Sequence, residues 1–169
     1  MKRLLLPLLA AIALPTAVNA ALTQKDVDPM TDNKSLMIIE RSSNKVDNSI
    51  GIPEKGLFAI GCMDMEGENN YRIIFTTPTY NSSDGQDILV RFDKEEAESW
   101  SFYGQTGGTG FELPSSSRDK FLNKILNHSK LALQWKTYSE SIKRYLIFDL
   151  EGLKEEIYKG KEEGCNFNI

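Results

Sequence analysis

Short runs of apolar residues with a period of two dominate the first two thirds of the chain. "SLMIIE" (35–40), "LFAIGCM" (57–63) and "YRIIFT" (71–76) are rich in β-branched or aromatic residues and are bounded by Asn, Gly, Pro or Ser, so each reads as a strand. "DILVRFD" (87–93) follows the turn cluster "NSSDGQ". "ESWSFY" (98–103) sets Trp100 and Phe102 against Ser99 and Ser101, the alternation of a strand with one buried face. Together these segments predict an antiparallel meander.

The period changes in the last third. "SSSRDKFLNKILNHSK" opens with a capping box, Ser116 to Asp119, and places Phe121, Leu122, Ile125 and Leu126 along one helical face. "KLALQWKTY" puts Leu131, Leu133 and Trp135 on one side of a strand, and "KRYLIFDL" supplies its partner. "EGLKEEIYKGKEEG" predicts a second helix with Leu153, Ile157 and Tyr158 facing inward. Strands followed by segregated helices define the α+β class: a mostly antiparallel β-sheet or sandwich with two short helices in the C-terminal half.

The first twenty residues, "MKRLLLPLLAAIALPTAVNA", combine a basic start (Lys2, Arg3), an apolar run and small residues before a break after Ala20. This is the pattern of a secretory signal peptide, and it predicts a periplasmic or secreted protein cut near Ala20. The apolar run is shorter than a membrane span and contains Pro7 and Pro15, so no stable membrane insertion is expected. No cysteine follows the cut, which argues against a lipid anchor. Residues 21–33 are polar and are expected to form a flexible N-terminal segment, residues 34–169 a single domain, and "RSSNKVDNSIGIPEKG" a connection within it.

Without residues 1–20 the chain holds 18 basic and 24 acidic residues, a net charge of about −6. Lysines alternate with acids in "FDKEEAES" and "EGLKEEIYKGKEEG", so the basic stripe that nucleic acid requires is missing, and nucleic acid is not an expected partner.

Export bears on the two cysteines, Cys62 and Cys165. An even count in an oxidising compartment favours pairing, and a Cys62–Cys165 bridge would close a loop of about 100 residues, worth roughly 4.7 kcal/mol of chain entropy. The alternatives are a buried free Cys62 with a disordered Cys165, or a bridge between molecules through the tail.

The order of these features resembles a known family. "DPMTDNKSLMIIERSS" leads to the cysteine-bearing "LFAIGC", then to "ILVRFDKEEAESWSF", a helix ending "LNHSKLALQW", the string "YLIFDLEGL" and a terminal helix finishing at Cys165. Over roughly Asp28 to Cys165 this is similar to the exported VasI-like proteins associated with bacterial type VI secretion and to small secreted relatives. The resemblance implies an extracytoplasmic, disulfide-closed, largely β domain and brings no catalytic residue with it.

Candidate chemistry is sparse. His128, the sole histidine, sits beside Ser129 at a helix end, but neighbours in sequence rarely form a catalytic pair, and a histidine there already has a favourable electrostatic role. With one histidine, a His-based metal site is not expected. "DMEGENN" holds Asp64, Glu66 and Glu68, yet Gly67 interrupts the series and Ile73 stands where a calcium loop needs its glutamate, so a polar hairpin fits better. "GQTGGTG" lacks the Lys and Ser/Thr ending of a phosphate loop and reads as a hairpin turn. Three sequons, at Asn33, Asn81 and Asn127, matter only in a eukaryotic secretory route.

Arg91, Asp93 and Trp100 are the candidate ligand-binding residues, with cross-strand pairing and core packing as their competing roles. No cofactor is expected. The leading function is a non-enzymatic accessory or binding domain for a protein or small-molecule partner. The rivals are a small hydrolase using carboxylates such as Glu66 or Asp93, and a structural or host-contact protein acting through a sheet edge.

Overall fold

The computed structural model describes residues 21–63, 71–81, 84–137 and 142–169. The proposed signal peptide and "DMEGENN" (64–70) lie outside the described residues. The strands are β1 (Leu22–Val27), β2 (Lys34–Arg41), β3 (Val46–Asp47), β4 (Pro53–Glu54), β5 (Leu57–Met63), β6 (Tyr71–Thr76), β7 (Gln86–Phe92), β8 (Glu98–Gly104) and β9 (Gly110–Glu112). Helix α1 (Ser115–Asn127), strands β10 (Lys130–Lys136) and β11 (Lys143–Asp149), and helix α2 (Glu151–Glu162) complete the chain.

Nine strands form one antiparallel sheet in the order β1-β2-β5-β6-β9-β8-β7-β10-β11, and β3 and β4 make a separate hairpin. The α+β class is therefore the observed one. The meander expectation holds for β2-β5-β6 and for β7-β8, but β9 enters between β6 and β8, so β7 does not pair with β6. The cause is the turn at Gln105–Thr109, which folds β9 back onto β8 while β9 also pairs with β6. Gly107 and Gly108 there have φ of 94° and 70°, a region open to glycine.

Alternation fixes which side is core. Ile38, Phe58, Ile60, Ile73, Phe75, Ile88, Val90, Leu133, Leu146 and Phe148 are buried on the inner face. Two helices cover that face. Phe121 of α1 meets the rings of Phe75, Phe92, Trp100 and Phe102 at centroid distances of 5.0 to 6.3 Å. From α2, Leu153, Ile157 and Gly160 are buried, and the bare Cα of Gly160 lets the helix settle against Leu36, Ile38 and Phe167.

The sheet also curls onto itself. Beyond β2 the chain crosses to β11: the Ser43 N–H donates to the Ile147 carbonyl (2.7 Å), and the Asn44 amide bonds the Tyr145 carbonyl (3.0 Å) and the Ile147 N–H (2.8 Å). Phe148 packs on Phe58 at 5.8 Å, and Gly56 sits where any Cβ would strike Leu146.

Four further expectations are corrected. Leu22–Val27, within the segment expected to be flexible, is a strand paired with β2, and Thr23 and Lys25 bond Glu156 and Glu163 of α2. The connection after β2 carries the β3–β4 hairpin. The capping box is not formed: α1 starts one residue earlier, after Pro114, with no side-chain cap, and Asp119 instead accepts from the Tyr71 hydroxyl (2.5 Å) and the Asn168 amide (2.7 Å). Tyr158 is 54% exposed, because the inward stripe of α2 runs through Leu153, Ile157 and Gly160.

Cys62 and Cys165 are joined in a disulfide, with Cα atoms 5.8 Å apart across 103 residues. It ties the segment after α2 to β5. Reduction, or Cys62→Ala with Cys165→Ala, is expected to lower stability by about 2–5 kcal/mol. Hydrogen exchange should show the loss first over residues 152–169, while β7, β8 and β10 keep their protection; unchanged protection of α2 would defeat the tether.

Candidate functional site

The inner face is filled, so recognition falls to the outer face. Tyr71, Ile73 and Phe75 point inward on β6, which turns Arg72 outward; on β9, Phe111 points inward and Glu112 outward. The Arg72 guanidinium grips the Glu112 carboxylate at two points, Nε to Oε1 at 2.6 Å and Nη2 to Oε2. Gly104, Gln105 and Thr106, where β8 enters its turn, complete an open groove of about 340 Å³ with these two residues. Register places Tyr103, 63% exposed, directly opposite Glu112 and on its face of the sheet. The groove offers a neutralised ion pair, an amide, a hydroxyl and an exposed aromatic ring, a set suited to hydrogen bonding and stacking.

The three sequence-predicted ligand residues are not brought together. Arg91 projects from the outer face of β7, whereas Trp100 points inward from β8 and is 7% exposed. The Trp100 ring stands edge to face with Phe121 at 5.0 Å and carries the Lys120 ammonium 4.9 Å from its centroid. Asp93, with φ of 45°, accepts from the backbone N–H groups of Ser129 (3.1 Å) and Lys130 (2.8 Å), joining the end of β7 to the start of β10. Glu66 lies outside the described residues.

His128 follows α1. Its Nδ1 lies 2.6 Å from the Lys124 carbonyl and its Nε2 3.0 Å from Glu95 Oε1, and the ring rests on Phe92 at 5.1 Å. Both partners are acceptors, so both nitrogens donate and the ring is an imidazolium. Lys124 bridges Glu95 (3.1 Å) and Glu98 (2.7 Å) beside it. Ring burial opposes the charge, but the Lys124 carbonyl and then Glu95 outweigh it, raising the histidine's pKa, while bonds from His128 and Lys124 lower that of Glu95.

Sequence reasoning missed the Arg72–Glu112 pair, which lies 40 residues apart in sequence and meets only through the β6–β9 pairing. It also missed Glu40. That residue ends the alternating series Leu36, Ile38, Glu40, so the period of two carried the signal that it faces the core. Asn81, in a sequon, is fully buried with its amide bonded to Thr77, a position closed to a glycan. Among the described residues no three His, Cys, Asp or Glu side chains are placed to hold a metal, and no helix is long and apolar enough to cross a membrane.

Comparison with protein families, with characterised proteins and with solved structures gives no match. The functional reading therefore rests on the chain's own geometry.

The protonated His128 generates a pH prediction. Its raised pKa means that the native state holds a proton the unfolded chain has begun to lose, so this contribution is complete below about 6.5 and is lost as pH rises through the folded value. His128→Gln should remove that slope above about pH 6.5 and leave stability at low pH reduced. An unaltered slope in thermal unfolding of the variant would exclude the imidazolium.

Proposed function

We propose that this chain is an exported, non-enzymatic accessory or binding domain that takes a small polar ligand, rich in hydroxyl or amide groups, in the groove between Arg72, Gln105, Thr106 and Glu112. The observation that carries the reading is the groove itself: an open concavity of about 340 Å³ whose charged pair is already neutralised. Such a lining favours hydrogen-bonding neutral groups over a strongly charged ligand, and Tyr103 supplies a face for stacking. Export is supported by the signal-like start and by the Cys62–Cys165 bridge, which suits an oxidising compartment. The motif order shared with VasI-like exported proteins supports an accessory role. The hydrolase alternative has less support, because Asp93 is committed to two backbone N–H groups.

The sheet-edge reading has an observation of its own. β1 is an edge strand whose Leu22 and Val27 are 59% and 52% exposed, and the row Leu22, Ile39, Ala59, Ile74 runs across the outer face from it.

Titration of the isotopically labelled protein with N-acetylated oligosaccharides and short neutral peptides separates these readings. Groove binding is expected to shift the amides of Arg72, Tyr103–Thr106 and Glu112. Arg72→Met with Tyr103→Ala should weaken it at least ~10-fold, and Arg91→Ala should leave it unchanged. Shifts confined to Leu22–Val27 would transfer recognition to the edge, and sensitivity to Arg91→Ala alone would remove the groove from the function.

A further inference from the structure

Glu40 interrupts the apolar inner row of β2. It is 2% exposed, it stands opposite Phe58 in the β2–β5 register, and its Oε2 has no hydrogen-bond partner. A carboxylate in that position loses its hydration without full compensation, whereas a neutral carboxylic acid fits against the rings far more cheaply. The charges facing it come from two other elements: Asp149 at the end of β11, which disfavours ionisation, and the exposed Lys55 just before β5, which favours it. On its own strand, the Arg41 backbone also favours the charged form.

The location of Glu40 gives its protonation a structural consequence. Two residues on, the Ser42 N–H donates to the Gly56 carbonyl (2.9 Å) and the Gly56 N–H donates to Ser42 Oγ (3.0 Å). Ser43 and Asn44 then make the three bonds that tie this segment to β11. Nothing else joins β2 to β11 so directly among the described residues.

We propose that Glu40 is a proton-operated latch on the seam between the end of β2 and β11: protonated, it stays in the core and the seam is closed; ionised, it turns out toward Lys55 and the seam opens. The step releases one proton to solvent and breaks no covalent bond. The element with two states is the Ser42–Asn44 segment, held to its neighbours by hydrogen bonds alone.

Burial, the largest influence, raises the Glu40 carboxyl to about 7 from the usual 4.5; Arg41 and Lys55 hold it down and Asp149 pushes it up. Between those values the native state keeps a proton that the unfolded chain has lost. The contribution of Glu40 is thus complete below about 4.5 and disappears as pH rises through about 7.

Hydrogen exchange of the full chain, corrected for intrinsic rates and compared at about pH 5.5 and about pH 8.5, tests the latch. Protection of residues 42–47 and 143–149 should fall at least ~10-fold more than that of β5 and β6 at the higher pH, and Glu40→Gln should abolish the difference. Asp149→Asn should move the midpoint to lower pH and Lys55→Met to higher pH. Infrared spectroscopy of the wild-type protein provides a readout that needs no variant: a protonated-carboxyl band persisting well above the range in which exposed carboxylates titrate. A seam indifferent to pH in the wild type, an unchanged pH dependence in Glu40→Gln, or a missing carboxyl band would each overturn the proposal.

Discussion

The close approach of Leu146 to Gly56 allows the sheet to curl, and most of the molecule depends on that curl. An antiparallel sheet of nine strands has a long apolar face to cover, and two helices of 13 and 12 residues cannot cover it alone. The sheet covers the remainder with itself, setting Phe148 of β11 against Phe58 and Phe75 from the opposite side. Only a glycine at position 56 leaves room for the crossing, since any Cβ would meet Leu146. Phe121 then fills the space the curl encloses, touching rings from β6, β7 and β8 at once.

Once the inner face is consumed in this way, the outer face is left for recognition, and register alone decides what stands side by side on it. Arg72 meets Glu112 because β9 inserts beside β6, and Tyr103 joins them because β8 lies on the other flank of β9. The same alternation removes Trp100 from the surface: one residue's shift along β8 separates the buried indole from the exposed Ser101 and Ser99. A side chain that sequence offers as a stacking platform therefore becomes a core ring.

How much was legible in the sequence follows from the range of the interactions involved. The strands Tyr71–Thr76 and Leu57–Met63 and the inward residues of β10 could be read directly, because local alternation and bounding turn residues determine them. Leu153 and Ile157 could be read from a 3.6-residue period. The insertion of β9 could not, because a three-residue strand has too few positions to show a period, and its place depends on partners that lie far away in sequence. For the same reason the Arg72–Glu112 groove had no local signature. The capping box failed because Asp119, which a cap would turn back to the helix start, finds Tyr71 and Asn168 as partners instead. Glu40 was legible in principle: its parity with Leu36 and Ile38 pointed inward, against the ordinary expectation for a carboxylate at the end of a strand.

The two devices that close the structure differ in kind, and their positions on β2 explain how the molecule divides its rigidity. Leu36 stands opposite Cys62, where the disulfide fixes the C-terminal segment to β5, and Glu40 stands opposite Phe58, four residues further along. That is roughly 13 Å at the rise of a strand. At the first end the closure is covalent and reinforced by Phe167, whose ring packs on Tyr71 at 5.3 Å. At the second it consists of hydrogen bonds made by Ser42, Ser43 and Asn44 around a buried acid. Covalent closure does not respond to modest changes in proton activity, whereas hydrogen-bonded closure beside a titrating group does. The end of the barrel-like curl that can open is thus the end without the disulfide, and the bridge lets it open without releasing α2 from the sheet.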